Sequence, residues 1–115
     1  MNPDDVERVL LSSASEDWIG LYEAIWELNS LFPKETLGRK YDTATNALLN
    51  LHNKGWIRFA KASPPKTGKP IAAIGAQEVA EMLSNPISWY PDHDGAAVVF
   101  SCTDAGMEKY MSGGR

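Results

Sequence analysis

Ala44, Ala47, Leu48 and Leu51 recur at i, i+3, i+4 and i+7, and the pattern is cut off by Gly55, after which comes Trp56-Ile57-Arg58-Phe59. Apolar side chains at that spacing share one face of a helix. A glycine just past the last of them takes up the left-handed geometry that closes a helix, and Lys54 beside it suits the negative end of the helix dipole. The β-prone run that follows reads as a strand. A helix over Asp42–Asn53 must therefore pass, through one glycine, straight into a sheet, and both need apolar partners from the rest of the chain.

Those partners are legible on either side. Asn2-Pro3-Asp4-Asp5 has the form of a helix start, with a capping amide, a proline pre-set for the first turn and two acids at the positive dipole end. Val6, Val9 and Leu10 give this helix, expected over residues 1–12, an apolar face. Ser13 with Glu16 fits a capping box, and behind it Trp18, Leu21, Tyr22, Ile25, Trp26 and Leu28 form a broad stripe that reads as the main core helix, with acids on its opposite side. Pro33 breaks that helix. A shorter one is expected over Lys34–Lys40, weakened by Gly38, with Asp42 or Thr43 capping the next.

Ser63-Pro64-Pro65-Lys66-Thr67-Gly68-Lys69-Pro70 is the strongest turn signal in the chain, a hairpin tip between strands Trp56–Ala62 and Ile71–Ile74. Its Gly68-Lys69 does not make a phosphate-binding loop, because Ser63 stands where the first glycine is needed and Pro70 where a hydroxyl should bind the metal. Ala76–Ser84 reads as a short helix, Ala97–Cys102 as a buried strand, and Thr103 as the cap of a last helix on which Met107, Tyr110 and Met111 share a face. Residues 112–115 read as a loose tail.

The passage Ala47-Leu48-Leu49-x-Leu51-x-x-x-Gly55-Trp56-Ile57 resembles the recognition helix and first wing strand of winged helix-turn-helix domains, and Thr103-x-x-Gly106 after a strand resembles their closing segment. The resemblance spans roughly residues 16–111. It implies a single α+β domain over 1–115: a three-helix core with a small antiparallel sheet, plus N-terminal and C-terminal helices. The helix at 76–84, inserted between wing strands, departs from the simplest family pattern.

Charge distribution points the same way. The net charge is −4, yet residues 34–69 carry eight cations against two acids, while the remainder carries three against thirteen. Such asymmetry suggests a polyanion-facing surface on an acidic body. The resemblance then implies double-stranded DNA as partner. Thr43, Thr45, Asn46, Asn50 and Asn53 would face bases in the major groove, since asparagine pairs bidentately with adenine and threonine methyls touch thymine. Lys34, Arg39, Lys40, Lys54, Arg58, Lys61, Lys66 and Lys69 would neutralise phosphates. A chain of this length covers one half-site, so a homodimer is expected. The alternative is a winged-helix module for a protein partner, an immunity, antitoxin or scaffold protein, anchored by Trp89 and Tyr90, residue types enriched at binding hot spots.

Other classes find little support. His52 and His93 stand apart, and no serine or cysteine has a nucleophile setting, so an enzyme is not expected. Asp92-His93-Asp94 lacks a distant third ligand, so neither metal nor cofactor is expected. Cys102, the single cysteine, lies in an apolar run and reads as a buried thiol. No apolar run reaches membrane-spanning length and no signal peptide is legible, which makes the cytoplasm the default expectation.

Overall fold

The computed structural model describes residues 2–62, 70–91 and 95–112. Within them the Asn2 side chain accepts from the Asp4 N–H at 2.8 Å, capping α1 (Pro3–Glu16). This helix runs past Ser12, because Val6, Leu10 and Ala14 repeat every four residues and all are buried, which carries the core-facing stripe another turn. Ser13 and Glu16 lie inside α1 and cap nothing. A two-residue strand β1 (Ile19–Gly20) follows, and α2 (Leu21–Leu31) begins only there. Glu23 fastens its start by accepting the Gly20 N–H on Oε1 at 3.3 Å, the glutamate half of a capping box.

Between Lys34 and Asn53 the structure has one helix where two were expected. It is α3 (Leu37–Asn53), capped by Thr36, whose Oγ1 accepts from Arg39 N at 3.3 Å. Gly38 falls in the first turn of this helix, where the backbone N–H groups have no intrahelical acceptor, so its weakness as a helix former costs little. At the far end the expectation holds: Lys54 is the C-cap and Gly55 adopts φ +77°.

From Gly55 the chain enters β2 (Ile57–Ala62), returns as β3 (Pro70–Ala73), and makes a 3-10 turn (Ala76–Glu78) into the short helix α4 (Val79–Ser84). A second 3-10 turn (Pro86–Trp89) leads towards β4 (Ala97–Cys102) and α5 (Asp104–Met111). Among the described residues the four strands form one antiparallel sheet in the order β1-β4-β2-β3. β4 thus occupies the centre beside β2, in a register that sets Phe59 opposite Phe100, with ring centroids 6.2 Å apart. β3 extends the far edge, with a register shift between Lys61 and Ala62.

The core is sealed between helices and one sheet face. Leu10, Leu21, Leu28, Leu48, Leu51, Ile57 and Phe100 are fully buried there, joined by Val79, Leu83 and Trp89 from the segment between β3 and β4. The opposite sheet face is thin: Ala60, Ala62 and Val99, covered by Trp18, over which the Arg58 guanidinium sits at 4.9 Å. Trp18 is therefore a lid on the second face, and Trp26 is 64% exposed rather than core. α5 also differs from expectation. Met107 and Met111 point outward while Tyr110 packs against the core, and the helix comes close through Gly106, where an added Cβ would run into the Trp56 carbonyl oxygen. Thr103 caps it through the Gly106 N–H at 3.0 Å and donates its own hydroxyl to the Gly55 carbonyl, tying α5 to the turn after α3. Cys102 is buried, its Sγ 3.6 Å from the Leu11 carbonyl oxygen, and burial pushes its thiol pKa up. Among the described residues no helix is long and apolar enough to cross a membrane.

Candidate functional site

α3 has three sides. Ala44, Ala47, Leu48 and Leu51 face the core. Arg39, Asp42, Asn46, Asn50 and Asn53, spaced by three or four residues, form an exposed outer stripe. Thr43 and Thr45 are half-buried at its margins. On the flank of Thr45, the chain between β3 and β4 packs beside the helix: the Tyr41 and Trp89 rings meet edge to face at 5.4 Å, and the Tyr41 and Tyr90 hydroxyls lie 2.6 Å apart. The insertion forms a wall beside Asp42 and Asn46, which border a cleft against it, and among the described residues the stripe is exposed.

The expected cations are dispersed. Lys34 is exposed in the link from α2 to α3, and the exposed Arg39 guanidinium lies 3.3 Å from Glu35 Oε2, an oxygen buried from solvent. Lys54 pairs with Glu7 at 3.0 Å while lying 4.8 Å over the Trp56 ring. Arg58 is on the sheet face over Trp18, away from the α3 stripe, and Lys61 is exposed on β2. Lys40 corrects the expectation most sharply: it is 5% exposed, and its Nζ is held by Asn29 Oδ1 at 3.0 Å, so it reaches no external phosphate from this position. Once α3 starts at Leu37, position 40 lies on the inward side of the helix rather than in a separate exposed one. Lys66 and Lys69, with Asp92-His93-Asp94, lie outside the described residues. Among the described residues no cluster of three or more histidine, cysteine or acidic side chains is placed to hold a metal.

The protein-partner anchors separate. Trp89 is 2% exposed, its indole N–H donating to the Leu83 carbonyl at 2.9 Å, and serves the core; Tyr90 is 55% exposed. Sequence reasoning missed what Tyr90 belongs to. It and Tyr41 stand between two open clefts of about 590 Å³ and 510 Å³, both lined by this pair. The first is floored by Trp89 and Leu83 and edged by Asp42 and Asn46; the second lies between α2 and α3, among Tyr22, Trp26, Leu37 and Glu23. Burial, followed by the Tyr90 hydroxyl, pushes the Tyr41 pKa up to about 12, and burial, with the nearby Glu23 carboxylate, raises that of Tyr22. No signal in the sequence separates these tyrosines from core residues, since helically spaced aromatics read as core whether or not a neighbouring element covers them. No family model, curated protein or solved structure matches this chain.

Proposed function

We propose that the chain is a winged-helix-type module that binds duplex DNA, with α3 lying in the major groove and the β2–β3 hairpin acting as the wing. The observation that carries this reading is the outer stripe of α3, where Asn46, Asn50 and Asn53 stand exposed on one side of a 17-residue helix with Arg39 at its start. Three exposed amides at i, i+4 and i+7 on one helical face suit bidentate readout of adenines. The order of elements supports it too: helix, short strand, two helices, then a hairpin whose partner strand β4 pairs between β1 and β2. Lys34, Arg39 and Lys54, with Lys66 and Lys69 of the sequence between β2 and β3, would supply the phosphate contacts. Five such contacts give log affinity a slope of roughly −4 to −5 against log salt. Asp42, within the stripe, opposes phosphate and keeps non-specific binding low.

The test is anisotropy binding of the protein to a randomised duplex pool at two salt concentrations, with selection and sequencing of retained DNA. Steep weakening with salt and enrichment of one sequence, palindromic if a dimer binds, is the expected result; no retention at low salt overturns the reading. A protein-binding module is the second reading, favoured by the exposure of Tyr90 next to Ile87, which is 73% exposed. That reading predicts that Lys66→Glu with Lys69→Glu leaves the partner bound, whereas the DNA reading predicts loss of DNA.

A further inference from the structure

The cleft between α2 and α3 is walled by aromatic rings and, among the described residues, lined by one charged side chain. Tyr22 and Trp26 of α2 meet edge to face at 5.2 Å and 78°, so two ring surfaces at right angles form one side. Tyr41 of α3 and Tyr90, joined through their hydroxyls, form the other. Among the described residues Glu23 is the one carboxylic acid that lines the cleft, and no lysine, arginine or histidine does. The Lys40 ammonium does not itself line the cleft, but it is held at 3.0 Å by Oδ1 of Asn29, which does. The carboxylate is held in place, because its Oε1 accepts the Gly20 N–H at the start of α2.

From this arrangement we propose that the cleft binds a small organic ammonium compound, its cationic head among the tyrosine and tryptophan faces beside Glu23 and its apolar substituent toward Leu37. The negative faces of aromatic rings attract a poorly hydrated cation, and methylated or alkylated ammonium groups are the kind for which this attraction outweighs lost hydration. An anion would meet the Glu23 carboxylate, while the nearest ammonium, that of Lys40, is 5% exposed and already taken up by Asn29. A neutral apolar ligand would strip that carboxylate of water and leave it only the Gly20 N–H, with no cation beside it, which is unfavourable. The volume of about 510 Å³ lies within the range of small-molecule sites. Exposure fits as well: Trp26 at 64% and Leu37 at 54% are large apolar groups left in water at the rim of a cleft that an occupant would cover. Because Tyr41 and Leu37 belong to α3, the occupant touches the same helix that carries the asparagine stripe, but the binding stands whether or not that stripe reads DNA.

The experiment titrates the whole protein with benzyltrimethylammonium, benzyl alcohol and benzoate in turn. Amide and indole proton–nitrogen spectra locate the site and calorimetry measures the affinity. Saturable binding of the ammonium compound is expected, with shifts centred on the Trp26 indole and the Gly20 amide, and with benzyl alcohol and benzoate at least about tenfold weaker. Glu23→Gln keeps an acceptor for the Gly20 N–H, and Trp26→Ala removes an exposed ring, so both variants keep the fold, and each should weaken binding about tenfold. The proposal is overturned by equal binding of the three compounds or by shifts centred elsewhere. It is equally overturned by affinity indifferent to both substitutions, or by no saturation up to roughly 10 mM.

Discussion

The Tyr41 and Tyr90 hydroxyls lie 2.6 Å apart across 49 residues of sequence, and that one hydrogen bond fastens the chain between β3 and β4 to the flank of α3. The same pair lines two clefts. Beneath it, Trp89 completes the same junction from inside the core.

Phenol titration should report that contact. Burial and the Tyr90 hydroxyl raise the Tyr41 pKa from its ordinary 10.0 to about 12, so the folded state keeps a proton that the unfolded chain has lost between those values. Stability from this group is complete below pH 10 and declines as pH rises through 12. Absorbance titration of phenolate should show a late step that disappears in Tyr41→Phe, and stability of that variant should fall less steeply above pH 10.

Trp89 offers a test of the junction itself. Trp89→Phe keeps most of the ring but leaves the Leu83 carbonyl without its donor, at a cost of about 1–3 kcal/mol. Trp89→Ala adds a cavity under Tyr41 and should cost about 3–5 kcal/mol in urea denaturation. Equal stability of wild type and Trp89→Ala would show that the segment contributes nothing to the core.

At the other end of α3, Gly106→Ala forces a methyl against the Trp56 carbonyl oxygen, and backbone on both sides leaves neither partner free to yield. The expected loss is about 1–3 kcal/mol by urea midpoint. Thr103→Ala, which removes the α5 cap and the hydroxyl donated to Gly55, should cost about 1 kcal/mol.

For the proposed DNA contact, Asn46→Ala with Asn50→Ala should lower affinity for the selected sequence by about 1–3 kcal/mol per amide and leave binding to unrelated duplex unchanged. Both positions are exposed, so the double variant should unfold no more easily than the parent, which urea denaturation checks. An equal loss on every sequence would place the amides on phosphate rather than bases.

The sequence alone determined the parts whose cause is local. The caps at Asn2 and Thr103, the glycine closure at Gly55, strand β4 and the inserted helix were each legible because a residue within four positions supplies the hydrogen bond, the backbone angle or the alternation that makes them. The α+β composition of the domain followed from the same signals. Where the reading failed, two local signals competed and distant packing chose between them. Ser13-x-x-Glu16 is a sound capping box, but burial of Ala14 against the core kept it inside α1; Asp42 and Thr43 offered the cap of a separate helix, but Thr36 capped one helix through to Asn53. Tertiary structure alone decided exposure. Trp18, Trp26 and Trp89 are the same residue type, yet one covers the thin sheet face, one stands in water beside a cleft and one closes the core. Which neighbour an indole or a lysine such as Lys40 meets depends on elements tens of residues away, and helical periodicity gives the side of a helix without saying what lies against it.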